Sequence, residues 1–394
     1  MIDHGAVLTH LQGERDAMAA LLRELVAMET PSTDSDSQHQ IRLRLQAEFE
    51  ALGYRARLLP GRRTGGHLYA APMRRPRHRP AQLMLGHCDT VWPRNTLQSM
   101  PLEAGDDDTL RGPGIYDMKA GLVEMIYALR TLAALGVEPE VTPLCFVNSD
   151  EEIGSPESTR YVRALAQRVE RCMVLEPSLG RHGAIKTARK GVGRFTVTVT
   201  GKAAHAGLDP GAGASAILEL SHVIQKLFDL NDPAQGTTVN VGVIDGGVRP
   251  NVVAPQSRAV VDVRVPTQDD AERVERAILR LEAVTPGVRL EIEGRIGRPP
   301  MERTEQNRRF WQVARDLARE LDLDLEEATA GGGSDGNTTS LYTATLDGLG
   351  AVGDGAHASH EFVYVESLPS RCALLTLLLS SPSLRHQPIP GAMP

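Results

Sequence analysis

Four short clusters in this chain hold the residues best suited to chemistry. They are Gly86-His87-Cys88-Asp89, the turn Gly112-Pro113-Gly114-Ile115-Tyr116-Asp117, the run Asn148-Ser149-Asp150-Glu151-Glu152, and Glu176-Pro177. Each is weak alone. A histidine two residues from an aspartate is more often a surface or hydrogen-bonded group than a ligand. Glu151-Glu152 fits a helix start, where the dipole favours acids, and Glu176-Pro177 fits a turn. Gathered in one crevice, however, these carboxylates would repel one another unless cations neutralised them. Imidazole with several carboxylates suits zinc, with cobalt or manganese as alternatives. Two such ions about 3.5–4 Å apart can share a bridging carboxylate and a water that loses its proton near neutral pH. The chemistry is then hydrolysis.

The surrounding elements give the clusters a common place. Residues 81–85, 144–147 and 172–175 are short apolar runs, and each leads directly into one of the clusters. Helical spacing over 121–135 and 155–169 separates them, so the runs read as strands of a sheet covered on both faces. In open α/β sheets, sites lie at the carboxyl ends of strands. Asp117 precedes the helix at Gly121 and can point into the same crevice. Helices are also expected over 8–28, ended by Thr30-Pro31, and over 38–52, ended by Gly53.

Near Lys190 the pattern changes. Phe195, Val197 and Val199 alternate with threonines, as in a strand with one face in water. Helices over 214–230 and 269–284, with strands over 237–244, 258–265 and 288–293, complete a β-α-β-β-α-β order, which is ferredoxin-like. After Pro299-Pro300 the strand–helix pattern resumes, with helices over 305–320 and 367–379 and a tail from Ser380 expected to fray. The expected fold class is α/β: a catalytic α/β/α domain with a mostly parallel sheet, residues 1–188 and 299–394. An inserted ferredoxin-like α+β domain, residues 189–298, interrupts it.

Composition narrows the function classes. A chain of 394 residues favours two domains. Its net charge of −7 argues against nucleic acid or an anionic membrane as partner. The local cluster Arg62, Arg63, Arg74, Arg75, Arg77, His78 and Arg79 reads as a solvated loop, because no aromatics interleave the charges. No run of about 18 apolar residues appears, so no membrane helix is expected. Charges at Asp3, Glu14, Arg15 and Asp16 interrupt any signal peptide. Cys88, Cys145, Cys172 and Cys372 lack paired spacing, and a cytoplasmic location is expected.

The strings Leu85–Val91, Gly112–Gly121, Asp150–Ser155, Leu175-Glu176-Pro177, Gly201–Gly207, Asn251-Val252-Val253 and His357–Val363 resemble, in the same order, the dizinc family of glutamate carboxypeptidase, aminoacylase, peptidase T and succinyl-diaminopimelate desuccinylase. The resemblance implies one Zn2+ held by His87 and Glu176, a second by Glu152 and His357, and Asp117 bridging both. It implies Glu151 as general base and Asp89 as the group that orients His87. Sequence alone leaves open which of Glu151 and Glu152 is the ligand, and whether His357 or His360 is. The family pattern favours Glu152, and favours His357 through the following Glu361-Phe362-Val363.

In the family, the histidine matching His205 reaches the partner subunit's site and stabilises an oxyanion, which implies a homodimer through the inserted domain. Arg264 and Asn251 resemble the family's clamp on a substrate carboxylate, with a surface ion pair as the plain alternative for Arg264. Gly331-Gly332-Gly333 lacks the Lys-Ser/Thr ending of a nucleotide loop. Gly332 and Gly333 instead suit a turn whose N–H groups approach a carboxylate, and a plain loop is the alternative.

Pro113, where much of the family has Arg, together with Thr238–Gly242 and Gly246-Gly247, resembles the glutamate carboxypeptidase branch. The expected substrate is therefore a short peptide or N-acyl amino acid with a free carboxylate. Its nearest rival is an N-acyl amino acid or N-acyl diamine deacylase. A metal-binding regulatory relative and a dimetal phosphoesterase are the readings from other classes. Hinges near residues 186–191 and 298–300 suggest a small domain that swings over the site.

Overall fold

The three apolar runs form the middle of one sheet. Strands Ala81–His87, Thr142–Asn148 and Arg171–Val174 are buried along their whole length, as parallel strands between helices must be. The computed structural model describes residues 2–76 and 79–386. Arg77 and His78 of the basic stretch, and the last eight residues of the tail, lie outside these.

The sheet runs Tyr54–Leu59, His67–Pro72, Thr142–Asn148, Ala81–His87, Arg171–Val174, Ala344–Leu346. The last four are parallel and the first two antiparallel. Register puts His87 directly beside Asn148, so the acidic run begins where the histidine sits. Helix Ala120–Ala134 packs against helix Ser367–Ser380, and both are buried on almost every side.

A small antiparallel sheet also positions the site. It joins Gly353–Asp354, Phe362–Tyr364, Thr109–Arg111 and Glu103–Ala104. Phe362 pairs with Arg111 across it. The chain leading into Asp117 is thereby held against the chain leaving His357.

Several expected elements are corrected. The helix expected over 8–28 is two helices, His4–Gly13 and Arg15–Ala27. Gly13-Glu14 interrupts it, with Glu14 leaving helical geometry at φ −93, ψ 1. The helix expected from residue 155 is shorter, Thr159–Ala166. Gly154 and Ser155 take left-handed φ of 91 and 56, and Asp150 Oδ2 accepts the amides of Glu157 and Ser158 at 2.7 and 3.0 Å. The tail is held as far as the turn at Leu384–His386. The buried guanidinium of Arg171 donates to Gln82 Oε1, Ser381 Oγ, Ser381 O and Pro382 O. Leaving those donors unpaired in the core would be costly, so the chain after Ser380 is pinned.

The chain divides into two compact units. The first comprises Met1–Ala188, Arg303–Thr329 and Ser334–Pro394, and the second Arg189–Glu302 with Ala330–Gly333. In the second, four antiparallel strands run Thr238–Gly246, Gln256–Val265, Gly191–Thr200, Arg289–Arg298. Phe195, Val197, Val199, Val261 and Val263 form its inner face and pack with Leu220, Val223, Val274 and Ile278 of its two helices. Ser215 and Thr267 cap those helices, each accepting an amide of the first turn.

All four cysteines are free and buried, and burial pushes the Cys88 thiol up to about 12. Among the described residues, no helix is long and apolar enough to cross a membrane.

Candidate metal centre

Strand ends and turns bring five side chains into two groups of possible ligands that share one member: His87, Asp117 and Glu176, and Asp117, Glu152 and His357. Within each group the candidate ligand atoms lie within 4.8 Å of one another. His87 Nε2 stands 3.3 Å from Asp117 Oδ1 and 3.5 Å from Glu176 Oε1. His357 Nε2 stands 3.5 Å from Asp117 Oδ2 and 3.0 Å from Glu152 Oε2. The two oxygens of Asp117 thus face different histidines, as a bridging carboxylate requires.

The donor chemistry fits a pair of divalent cations. Both groups combine imidazole with carboxylate oxygen, the set that suits zinc. Glu152 Oε1 is buried and makes no hydrogen bond, an arrangement that is costly for a carboxylate unless something binds it. The first group is closed, with the His87 side chain 1% exposed, while that of His357 is 54% exposed. The open side of the centre is therefore the His357 side.

Asp89 contacts a member of each group. Its Oδ2 accepts from Ser32 Oγ at 2.7 Å and from the Glu152 amide at 3.2 Å, and its Oδ1 accepts from the Glu151 amide at 3.2 Å. His87 Nδ1 lies 3.0 Å from the Asp89 carbonyl and 3.5 Å from its carboxylate. A proton on Nδ1 satisfies both, which leaves the Nε2 lone pair for a cation. Burial opposes the Asp89 charge, but the bonds from His87 and Ser32 outweigh it and hold the carboxyl below its usual range. Glu151 is buried beside this network, at 9% exposure, and belongs to neither ligand group. His360 is likewise absent from both.

Sequence reading missed two contributors. Thr30-Pro31 reads as a helix stop, yet residues 30–32 lie alongside residues 88–90, with Thr30 Oγ1 donating to the Cys88 carbonyl at 2.6 Å. Glu361 served only to mark a pattern, yet it is fully buried and its carboxylate accepts four hydrogen bonds. Apart from its place in that pattern, nothing in the residue order distinguishes Glu361 from a surface acid.

The remaining candidates belong to the second unit. His205 Nδ1 accepts from the Gly207 and Leu208 amides, both at 3.1 Å, which assigns the proton of the neutral ring to Nε2. The Asn251 carbonyl accepts the Ala206 amide. Arg264 grips Asp262 with two bonds, Nε at 2.8 Å and Nη2 at 3.0 Å, so in this structure it forms the ion pair. The Gly332 carbonyl accepts from Arg189 at 3.1 Å, with Gly333 following in the same unit. A Cβ at Gly331 or Gly332 would meet nothing, and neither residue has a positive φ, so local geometry does not demand glycine there.

Protons compete with cations for this centre. Hydrogen bonds to Asp117 and Glu152 push His357 up to about 10. Burial and the charge of Asp117 push Glu152 up to about 7. Both shifts favour the protonated form, which a metal must displace, so affinity is lost as pH falls. Against the opposing effect of burial, hydrogen bonds to Asp117, Asp89 and Glu176 likewise hold His87 well above its ordinary value, so metal binding is expected to release protons below about pH 10, and more of them below about pH 7. Calorimetric titration in buffers of different ionisation enthalpy checks this; an affinity independent of pH would contradict the ligand assignment.

The M20 peptidase dimerisation domain matches residues 187–281. Carboxypeptidase G2 of Pseudomonas sp. (strain RS-16) is 26% identical over 382 residues, covering 93% of this chain and 89% of the relative. Acetylornithine deacetylase of Myxococcus xanthus is 30% identical over 371 residues, covering 89% and 94%. The crystal structure of aminopeptidase PepT from Bacillus cereus superposes with a TM-score of 0.75 at 21% identity, over 93% of this chain and 98% of that one. That last likeness concerns the fold.

Proposed function

This chain belongs to the M20 peptidase family, and from that premise we propose that it is a dinuclear-metal hydrolase cleaving an amide or peptide bond next to a free carboxylate, as a metallocarboxypeptidase. The observation that carries the reading is the pair of ligand groups joined through Asp117. His87 and Glu176 would hold one ion, Glu152 and His357 the other, and Asp117 both, with Zn2+ the expected metal and Co2+ or Mn2+ alternatives. Cations there supply Lewis acidity toward the scissile carbonyl and make water acidic near neutral pH.

The protein's own groups do the rest. Glu151 takes the proton of the attacking water and passes it to the leaving amine. Asp89 keeps the Glu151 and Glu152 amides and the His87 ring in register. His205, with its proton on Nε2, has a donor suited to an oxyanion. We assign that role across a homodimer, the His205 of one copy serving the other. Exposed apolar residues of the second unit, Ile217, Leu218, Val243 and Ile244, support association through that domain. Asn251, Arg264, Gly332 and Gly333 would receive the substrate carboxylate, and Arg264 must then exchange Asp262 for it.

Two substrate classes compete. Pro113 and the match to carboxypeptidase G2 over 93% of the chain favour removal of a C-terminal amino acid. The match to acetylornithine deacetylase at 30% identity favours deacylation instead. A panel of dipeptides, N-acyl amino acids and acylated diamines separates them by which amine is released. Amide hydrolysis is expected to stop with a chelator and return with zinc. Cleavage of phosphate esters without amide hydrolysis would overturn the proposal.

A further inference from the structure

We infer that Glu361 is the positioning residue for the bridging carboxylate, holding the turn that carries Asp117 in a pose that serves both cations. The inference rests on the metal-centre reading above. Glu361 is 0% exposed and belongs to neither ligand group. Its Oε1 accepts the amides of Tyr116 and Asp117 at 2.9 and 3.0 Å. Its Oε2 accepts the Gly114 amide and Trp92 Nε1, both at 2.9 Å.

Every one of these partners is a donor, so the site is built for a group that only accepts. A carboxylate is such a group. Three of the four donors are backbone amides of the turn itself, and the third of those belongs to Asp117. The turn is also fitted closely to the strand end beside it at Gly114. Gly114 takes a φ of +70, and a Cβ there would stand 2.3 Å from Thr90 Cγ2. Glu361 therefore fixes where the Asp117 Cα lies, and through it how its two oxygens divide between His87 and His357.

Glu361 also lies four residues after His357. The same loop that presents a ligand of the open group thus anchors the turn presenting the shared ligand. Gly355 allows that loop to close: its φ is +82, and a Cβ would stand 2.9 Å from the Glu361 Cα. One buried carboxylate ties together two ligands that are 240 residues apart in the chain.

Glu361→Gln keeps the volume but places an amide N–H2 against two donors. The test uses full-length apo protein prepared with a chelator and titrated with Co2+, followed by its ligand-field absorption and by calorimetry. The expected result is a folded variant whose affinity for both ions falls about 10–100-fold, with a changed cobalt spectrum, a lowered kcat and little change in KM. A role confined to stability would lower the melting temperature and leave the folded protein's affinity and spectrum alone, and that outcome overturns the inference. Should Glu361→Gln fail to fold, Trp92→Phe removes one donor and leaves the turn amides. A cobalt affinity lowered about threefold or more then supports the inference, and an unchanged one overturns it. Two ions bound by both wild type and Glu361→Gln with equal affinity would remove only this inference. No ions bound by wild type would remove the metal centre as well.

Discussion

Glu151→Gln is expected to bind two divalent ions as tightly as wild type and to lose about 10²–10⁴-fold of turnover. That range corresponds to about 3–5.5 kcal/mol of transition-state stabilisation. The metals should remain because Glu151 is outside both ligand groups. Its structural contribution, the amide given to Asp89 Oδ1 at 3.2 Å, comes from the backbone and survives the change. The neighbouring Glu152 amide holds the other Asp89 oxygen, so the ligand beside it keeps its place. The capacity to accept a proton disappears, since an amide oxygen is far less basic than a carboxylate. KM should change little, because the substitution is nearly isosteric and removes no expected substrate contact. Metal content, kcat and KM measured on one preparation decide the matter. Turnover at the wild-type rate would remove Glu151 as base, and loss of a metal would make it a ligand instead of Glu152.

The parts of this site legible in sequence are those set by strand direction. His87, the run Asn148–Glu152 and Glu176 each fall just after a continuous apolar run. Parallel strands deliver the residues at their carboxyl ends to a single edge, as the pairing of His87 with Asn148 shows. Asp117 was legible through the glycines before it, because a turn rich in glycine ahead of a helix can reach that edge. The ferredoxin-like unit was legible from its change of period from continuous to alternating.

The features that were not legible depend on partners distant in the chain. Besides Trp92 Nε1, Glu361 binds three backbone amides, and besides the side chains of Gln82 and Ser381, Arg171 binds two carbonyls of the turn after Ser380; such backbone groups carry no residue identity. Neither kind of bond leaves a trace in the order of residue types. Strands Tyr54–Leu59 and His67–Pro72 were missed because loops rich in charge surround them. The Arg264–Asp262 ion pair was within reach: residues two apart on a strand share a face, and the plain alternative named that kind of contact.

Asp117→Asn should have the largest effect of any single substitution at the centre. Its two oxygens stand 3.3 and 3.5 Å from the two Nε2 atoms, so each group depends on one of them. Asparagine offers one carbonyl oxygen and one N–H2, and the N–H2 cannot ligate. One group therefore loses a donor outright, and both lose half of a shared negative charge. Burial disfavours that charge, yet the bonds from His357 and His87 hold Asp117 well below the usual carboxylate range. The native geometry is thus arranged around an anion at this point.

Zinc at 100 times its dissociation constant stabilises a folded protein by about 2.7 kcal/mol per site. Wild type should accordingly melt at a markedly higher temperature with zinc than with chelator. In Asp117→Asn most of that difference should vanish, metal content should fall below two per chain, and turnover should fall at least about 10³-fold, comparable to loss of a principal electrostatic group. The comparison between zinc and chelator within the variant separates ligand loss from simple destabilisation, because a folding defect lowers both curves together. A variant that keeps the full zinc-dependent rise in melting temperature would show that the two ions do not share Asp117.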